Sequence, residues 1–113
     1  MTQFYSYLDF AGLYKGSYDG RNAQLDIEPT GGPFPIYVFD VIFTDIDRNE
    51  TYEGVVSQSN INAHIISDID LTLKGGGDVI HWSKLLLHTW DISYLSGISV
   101  WNNTEYGMSF TRT

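Results

Sequence analysis

The chain contains no cysteine in its 113 residues. That removes disulfides, thiolate metal sites and a cysteine nucleophile together. Basic residues are scarce as well: 6 lysines and arginines stand against 14 acidic residues, for a formal net charge of -8. Nucleic acid and anionic membranes would both repel such a surface, so neither is expected as a partner. Proline occurs 3 times, always between positions 29 and 35. Elsewhere the backbone keeps every amide donor that regular structure needs. No apolar run approaches the roughly 20 residues of a membrane-crossing helix. The opening residues MTQFYSYLDF hold neither a basic segment nor an unbroken apolar one. A secretory signal is therefore not expected, and cytoplasmic placement is.

What remains is rich in β-branched and aromatic residues, cut into short runs by turn formers. A chain of this length is one domain, residues 1–113, with a modest core of its own. The clearest run is Tyr94 to Phe110, divided by Asn102-Asn103. Asparagine tolerates positive φ, so the pair suits a two-residue hairpin turn. That turn sets Trp101 opposite Thr104, Ser99 opposite Tyr106, Gly97 opposite Met108 and Leu95 opposite Phe110. Asp19-Gly20 makes a second such turn, which places Gly12, Tyr14 and Gly16 beside Ile27, Leu25 and Ala23 on an inner face. Arg48-Asn49 is taken as a third turn, with Phe43 facing Gly54 and Val41 facing Val56. Its inner face is Phe39, Val41, Phe43, Tyr52 and Val56.

Gly75-Gly76-Gly77 is read as a three-residue turn. It predicts Leu71 opposite His81, Ile69 opposite Ser83, Ser67 opposite Leu85 and Asp68 opposite Lys84. His81, Ser67 and Ser83 then point inward, and Ile66, Trp82 and Leu86 outward. The stretch Val79 to Trp90 also suits a helix, but the flanking glycines favour a strand. A slip of one residue would exchange the two faces. Phe4, Tyr7, Leu8 and Ala11 follow helical spacing, so a short N-terminal helical turn is expected, with Thr2 as its cap. Pro29 to Pro35 reads as a loop, either a cover over one mouth or a plain connection.

Eight strands joined by short connections give an all-β fold: an eight-stranded antiparallel up-and-down barrel with a short N-terminal helical turn. Closure removes exposed sheet edges, and the last strand is expected beside the first. Gly12-Leu13-Tyr14, the preceding helical turn and the meander of hairpins resemble the calycins, the streptavidin-like barrels more than the lipocalins. The resemblance covers the chain at the level of pattern. Tyr14 stands where those families usually have tryptophan, and the polar residues that hold biotin have no one-for-one counterparts, so biotin binding is not carried over. What the resemblance implies is a barrel with one open mouth and a tendency to self-associate.

Candidate chemistry follows from these faces. A small apolar ligand is expected in the mouth, against Tyr14, Trp101 and Tyr106, with Ser67, His81, Ser83 and Ser99 to orient it. Two alternatives stand beside it. A barrel enzyme, an isomerase or hydrolase, would use His81 as its base. A filled barrel would be a structural or interaction protein. Ile66, Trp82, Leu86 and Trp90 make an outer apolar patch, whose expected cover is a homodimer or higher homo-oligomer. Residues 45–49 imitate the start of a calcium loop, but Glu50 replaces the turn glycine and Val56 the final glutamate. His64 and His88 face each other without a third ligand. No metal or cofactor is expected.

Overall fold

The computed structural model describes residues 3–31 and 37–113. Thr2, the expected start of the second hairpin at Ile36 and most of the Pro29–Pro35 loop lie outside the described residues, as does any role of that loop as a cover. The described chain forms β1 (Gly12–Tyr18), β2 (Arg21–Pro29), β3 (Tyr37–Asp45), β4 (Glu50–Ser57), β5 (Ile61–Asn62), β6 (Ile65–Leu73), β7 (Val79–Leu87), β8 (Tyr94–Trp101) and β9 (Thr104–Arg112). All but the two-residue β5 are full barrel strands. Neighbours pair antiparallel in chain order, β1 pairs with β9 and β4 with β6, so the sheet closes into an eight-stranded barrel. The architecture is consistent with the calycin-like resemblance. No helix among the described residues is long and apolar enough to cross a membrane.

Two hairpins have the expected register throughout. Asp19 and Gly20 take φ of 51° and 80°, and Asn102 and Asn103 take 51° and 61°. Both central residues are left-handed in each turn, which matches the twist of the flanking strands. The pairs Tyr14–Leu25, Gly16–Ala23, Gly97–Met108 and Leu95–Phe110 follow.

The second hairpin corrects the expectation by two residues. Asp45 pairs with Glu50, so Ile46 to Asn49 form a four-residue turn, and Phe43 faces Tyr52 rather than Gly54. Two residues is a whole pleat, so the same side chains stay inside. Phe39, Val41, Phe43, Tyr52 and Val56 are all buried.

The third hairpin corrects it by one residue, and here the faces change. The turn spans Leu73 to Asp78, with the Leu73 amide donating to the Asp78 carbonyl. Asp70 therefore faces His81, Ile69 faces Trp82 and Ser67 faces Lys84. Each strand also carries one extra residue at the same height. Buried positions step by three from Ile66 to Ile69 and from Trp82 to Leu85. Asp68 sits at φ 58°, and the β7–β8 pairing shifts between Trp82 and Lys84. Bulges of this kind switch a strand's faces and bend it. Ile80, Trp82, Leu85 and Leu87 thus point into the barrel, and β7 is a strand, not a helix.

The barrel is closed at one end. Tyr7–Phe10 form a single 3-10 turn, capped by Ser6, whose amide and that of Tyr5 donate to the Asp9 carboxylate at 3.1 and 2.7 Å. The expected face packs in part: Phe4 and Ala11 lie half-buried against the core and Tyr7 meets the Phe39 ring edge-on at 6.2 Å, but Leu8 is exposed and Phe10, outside that face, is fully buried. The turn ends at Ala11 in extended conformation, too early for a helical stripe to develop. The Tyr14 hydroxyl donates to the Phe10 carbonyl at 2.8 Å. The Arg112 guanidinium lies over the Tyr14 ring and donates to the carbonyls of Asp9, Ala11 and Ile92. Below this plug the interior is filled by Tyr14, Phe39, Leu25, Phe110, Trp82 and Phe43.

Candidate functional site

In an up-and-down barrel the β1–β2, β3–β4, β6–β7 and β8–β9 turns all fall at the same end. That end is open. Between the four turns lies a cavity of about 130 Å³. Phe43 is its floor, and beneath it the Trp82 ring packs edge-on at 5.3 Å. Tyr18, Tyr52, Trp101 and Tyr106 supply aromatic walls. The rim carries two guanidinium groups, Arg21 and Arg48, against four carboxylates, Asp19, Asp45, Glu50 and Asp78.

These side chains are held by bonds along the rim. The Tyr18 hydroxyl and the Ser99 hydroxyl share a buried hydrogen bond of 2.6 Å. Burial raises the Tyr18 hydroxyl's pKa, opposed by that bond and by Arg21. Arg21 donates through Nε to Asp45 Oδ2 at 2.9 Å, its Nη2 lies 2.9 Å from the same oxygen, and its charge lies 5.6 Å from the centre of the Tyr18 ring. Asp45 is 2 % exposed, so this carboxylate depends on its partner. Three of the four turns are also tied to a neighbouring strand. The Asp19 amide donates to the Gly107 carbonyl, the Ile46 amide to Asn22 and the Lys74 amide to Thr51. A rim fixed in this way loses little further freedom on binding.

Of the residues expected at a ligand, Trp101 and Tyr106 line the mouth and Ser99 supports it through Tyr18. The others are corrected by position. Tyr14 is buried at the closed end, where burial pushes its pKa up to about 12. His81 lies on the outer wall because of the one-residue slip, its side chain 39 % exposed. It contacts Asp70 through Nδ1 at 2.8 Å and Asp68 through Nε2 at 3.2 Å. Ser83 is half-buried and donates to the Ile98 carbonyl, and Ser67 pairs with Lys84. His64 packs against Phe4, and His88 bonds Ser96. Among the described residues no histidine lines the mouth, and His81 on the outer wall is not placed to act as a base there. The expected outer patch shrinks as well, Trp82 being turned inward by the slip and Ile66 by the bulge at Asp68. Ile66 and Trp82 are buried in the core, Leu86 is half-buried, and Trp90 is exposed in the β7–β8 connection.

The sequence reading missed Tyr18, Arg21, Asp45, Glu50, Tyr52 and Asp78 as mouth residues. The signal was the topology: once a meander barrel is drawn, its four hairpin turns share one rim. The calcium-like stretch 45–49 is part of it. Asp45 turns inward to Arg21, and Asp47 accepts the Asn22 amide at 2.8 Å.

His81 gives a pH prediction. The hydrogen bond to Asp70, then that to Asp68, raise its pKa above the ordinary histidine value, with burial opposing. The folded chain therefore favours the imidazolium. Its stabilising contribution is complete below about pH 6.5, the unfolded value, and disappears as pH rises through the higher folded value. All three side chains are well exposed, so solvent screening limits the effect to about 1 kcal/mol or less. In urea unfolding, His81→Gln should lower the midpoint at about pH 5.5 and leave it unchanged at about pH 9. An equal deficit at both values would rule out the charged bridge.

Compared with protein-family models, curated proteins and solved structures, the chain has no significant match.

Proposed function

We propose that this barrel is a binding module that holds a small ligand with an apolar body in its open mouth. The observation that carries the reading is the contrast between the two ends. Among the described residues the interior is packed from the Phe10 plug up to Phe43, and the lumen itself opens between the four hairpin turns, against aromatic walls on a rim tied at three of those turns. Two other hollows, of about 420 Å³ beside Phe4 and Ile61 and about 520 Å³ over Asp40 and Glu53, face outward from the barrel. Ligand sites favour such concave, aromatic, pre-formed places with a few polar groups. A cavity of about 150 Å³ is known to admit benzene, so the bound portion is a ring-sized group rather than a long chain. This use would extend the resemblance to streptavidin-like barrels beyond architecture.

An NMR screen of fragment-sized molecules tests the reading. Hits should shift the indole signal of Trp101 and the Nε signal of Arg21, and Trp101→Ala should weaken them by about tenfold, the effect of losing a well-packed aromatic contact. Fragments that bind only elsewhere, or a mouth that no fragment shifts at millimolar concentration, would overturn it.

A further inference from the structure

We infer that the group received by the mouth is a small organic cation: an alkylammonium, amidine or guanidine carried on an apolar body. This rests on the mouth-binding reading and adds its charge class. The rim bears twice as many carboxylates as guanidinium groups. Arg21 is committed to Asp45 and reaches Asp19 at 3.5 Å, while Arg48, on the exposed side, meets Glu50 at 3.1 Å. Asp78 has no ion-pair partner among the described residues. A negative charge is therefore left over at the entrance. The field reaches the cavity wall: the Tyr52 hydroxyl's pKa is raised first by burial and then by Glu50 and Asp78.

The walls add a second, independent preference. Ring faces attract cations, most strongly tryptophan's, and the attraction grows as water is excluded. One ring of this mouth already holds a cation, since the Arg21 charge sits over Tyr18. An anionic ligand has the opposite prospect. It would have to draw Arg21 away from Asp45, leaving a carboxylate that is 2 % exposed without its partner, or draw Arg48 away from Glu50, leaving that carboxylate unpaired on the same rim. A neutral ligand could donate a hydrogen bond to a carboxylate but would gain no charge attraction from it.

The experiment is an NMR titration with three probes of one shape. Choline carries the charge, 3,3-dimethylbutan-1-ol replaces its nitrogen by carbon, and 3,3-dimethylbutanoate is the matched anion. Choline should shift the Trp101 and Arg21 side-chain signals with an affinity about tenfold above the alcohol's, and added salt should weaken choline alone. Asp78→Asn, a change at an exposed turn residue, should weaken choline several-fold and the alcohol by distinctly less, so that the ratio of the two affinities falls. If the alcohol binds the mouth as tightly as choline, or the butanoate binds tightest, the cation inference fails and the mouth reading stands. Choline shifts confined to the outer acidic groove of Glu28, Asp40 and Glu53 would also overturn it. No mouth shift from any probe at millimolar concentration counts against both readings.

Discussion

Gly16→Ala is expected to destabilise the barrel by about 3 kcal/mol or more, at the upper end of what overpacking costs. Gly16 lies on the inner face of β1, paired with Ala23 on one side and Phe110 on the other. A Cβ there would run into the Ser109 carbonyl oxygen and stand 2.6 Å from the Phe110 Cα. Both are backbone atoms of β9, so no rotamer change relieves the contact; the β1–β9 seam itself must open. Glycine at such a point lets a sheet bend tightly enough to close. For a domain whose total stability is about 5–15 kcal/mol, that is a large fraction. Gly107→Ala is the control. It lies on β9, and a Cβ there meets nothing within 4 Å, so a change within about 0.5 kcal/mol is expected. Guanidinium unfolding of the two variants separates the cases. Equal midpoints would mean that the seam is looser than the close approach of these strands requires.

Closure at glycine is one part of the fold that the sequence carried openly. The Asp19-Gly20 and Asn102-Asn103 turns each have two residues, and a two-residue turn leaves no freedom in register. Every pair of those hairpins could be read, including Gly97 against Met108, whose Cε lies 2.8 Å from where a Cβ would be. Arg48-Asn49 misled because the turn begins two residues earlier, at Ile46. The core survived the error, since a slip of two leaves the pleat in phase. Gly54 did not keep its expected partner: it packs under Asp70 and Leu71 of β6 rather than against Phe43. The triple glycine misled in a way that mattered. A run of permissive residues fixes neither the length of a turn nor its register, and the loop proved longer than the glycines alone.

The candidate site inherited that difference. Of the residues placed by the outer hairpins, Trp101, Tyr106 and Ser99 belong to the mouth or its support, while Tyr14 points inward as expected but at the closed end. Residues placed by the third hairpin, His81, Ser67 and Ser83, do not belong to the mouth. No alternation pattern could reveal the paired bulge at Asp68 and between Trp82 and Lys84, because two compensating extra residues leave the ladder's register intact while turning both strands over. Leucines at 85, 86 and 87 obscured the change of phase further, offering an apolar side chain to either face.

Trp82 is where the longer turn has its largest consequence. The sequence pattern put it on an outer patch suited to self-association; the register set by that turn pairs it with Ile69 and puts it in the core, fully buried, edge-on to Phe43 at 5.3 Å and tilted against Phe110 at 6.4 Å. Trp82→Ala should therefore cost about 3–5 kcal/mol, the range for deleting a large buried aromatic. Trp82→Phe should cost less than its lost volume suggests. The indole Nε1 has no hydrogen-bond partner among the described residues, and removing a buried unpaired donor recovers about 1–3 kcal/mol of desolvation. An outer-face tryptophan makes the opposite forecast: its alanine variant would keep the unfolding midpoint and change the mass in sedimentation. Trp90, 67 % exposed, supplies that comparison, and Trp90→Ala should move the midpoint by no more than about 0.5 kcal/mol. Measured together, stability and mass assign each tryptophan to one side of the wall. A stable Trp82→Ala protein of reduced mass would return β7 to the simple alternating phase and His81 to the interior.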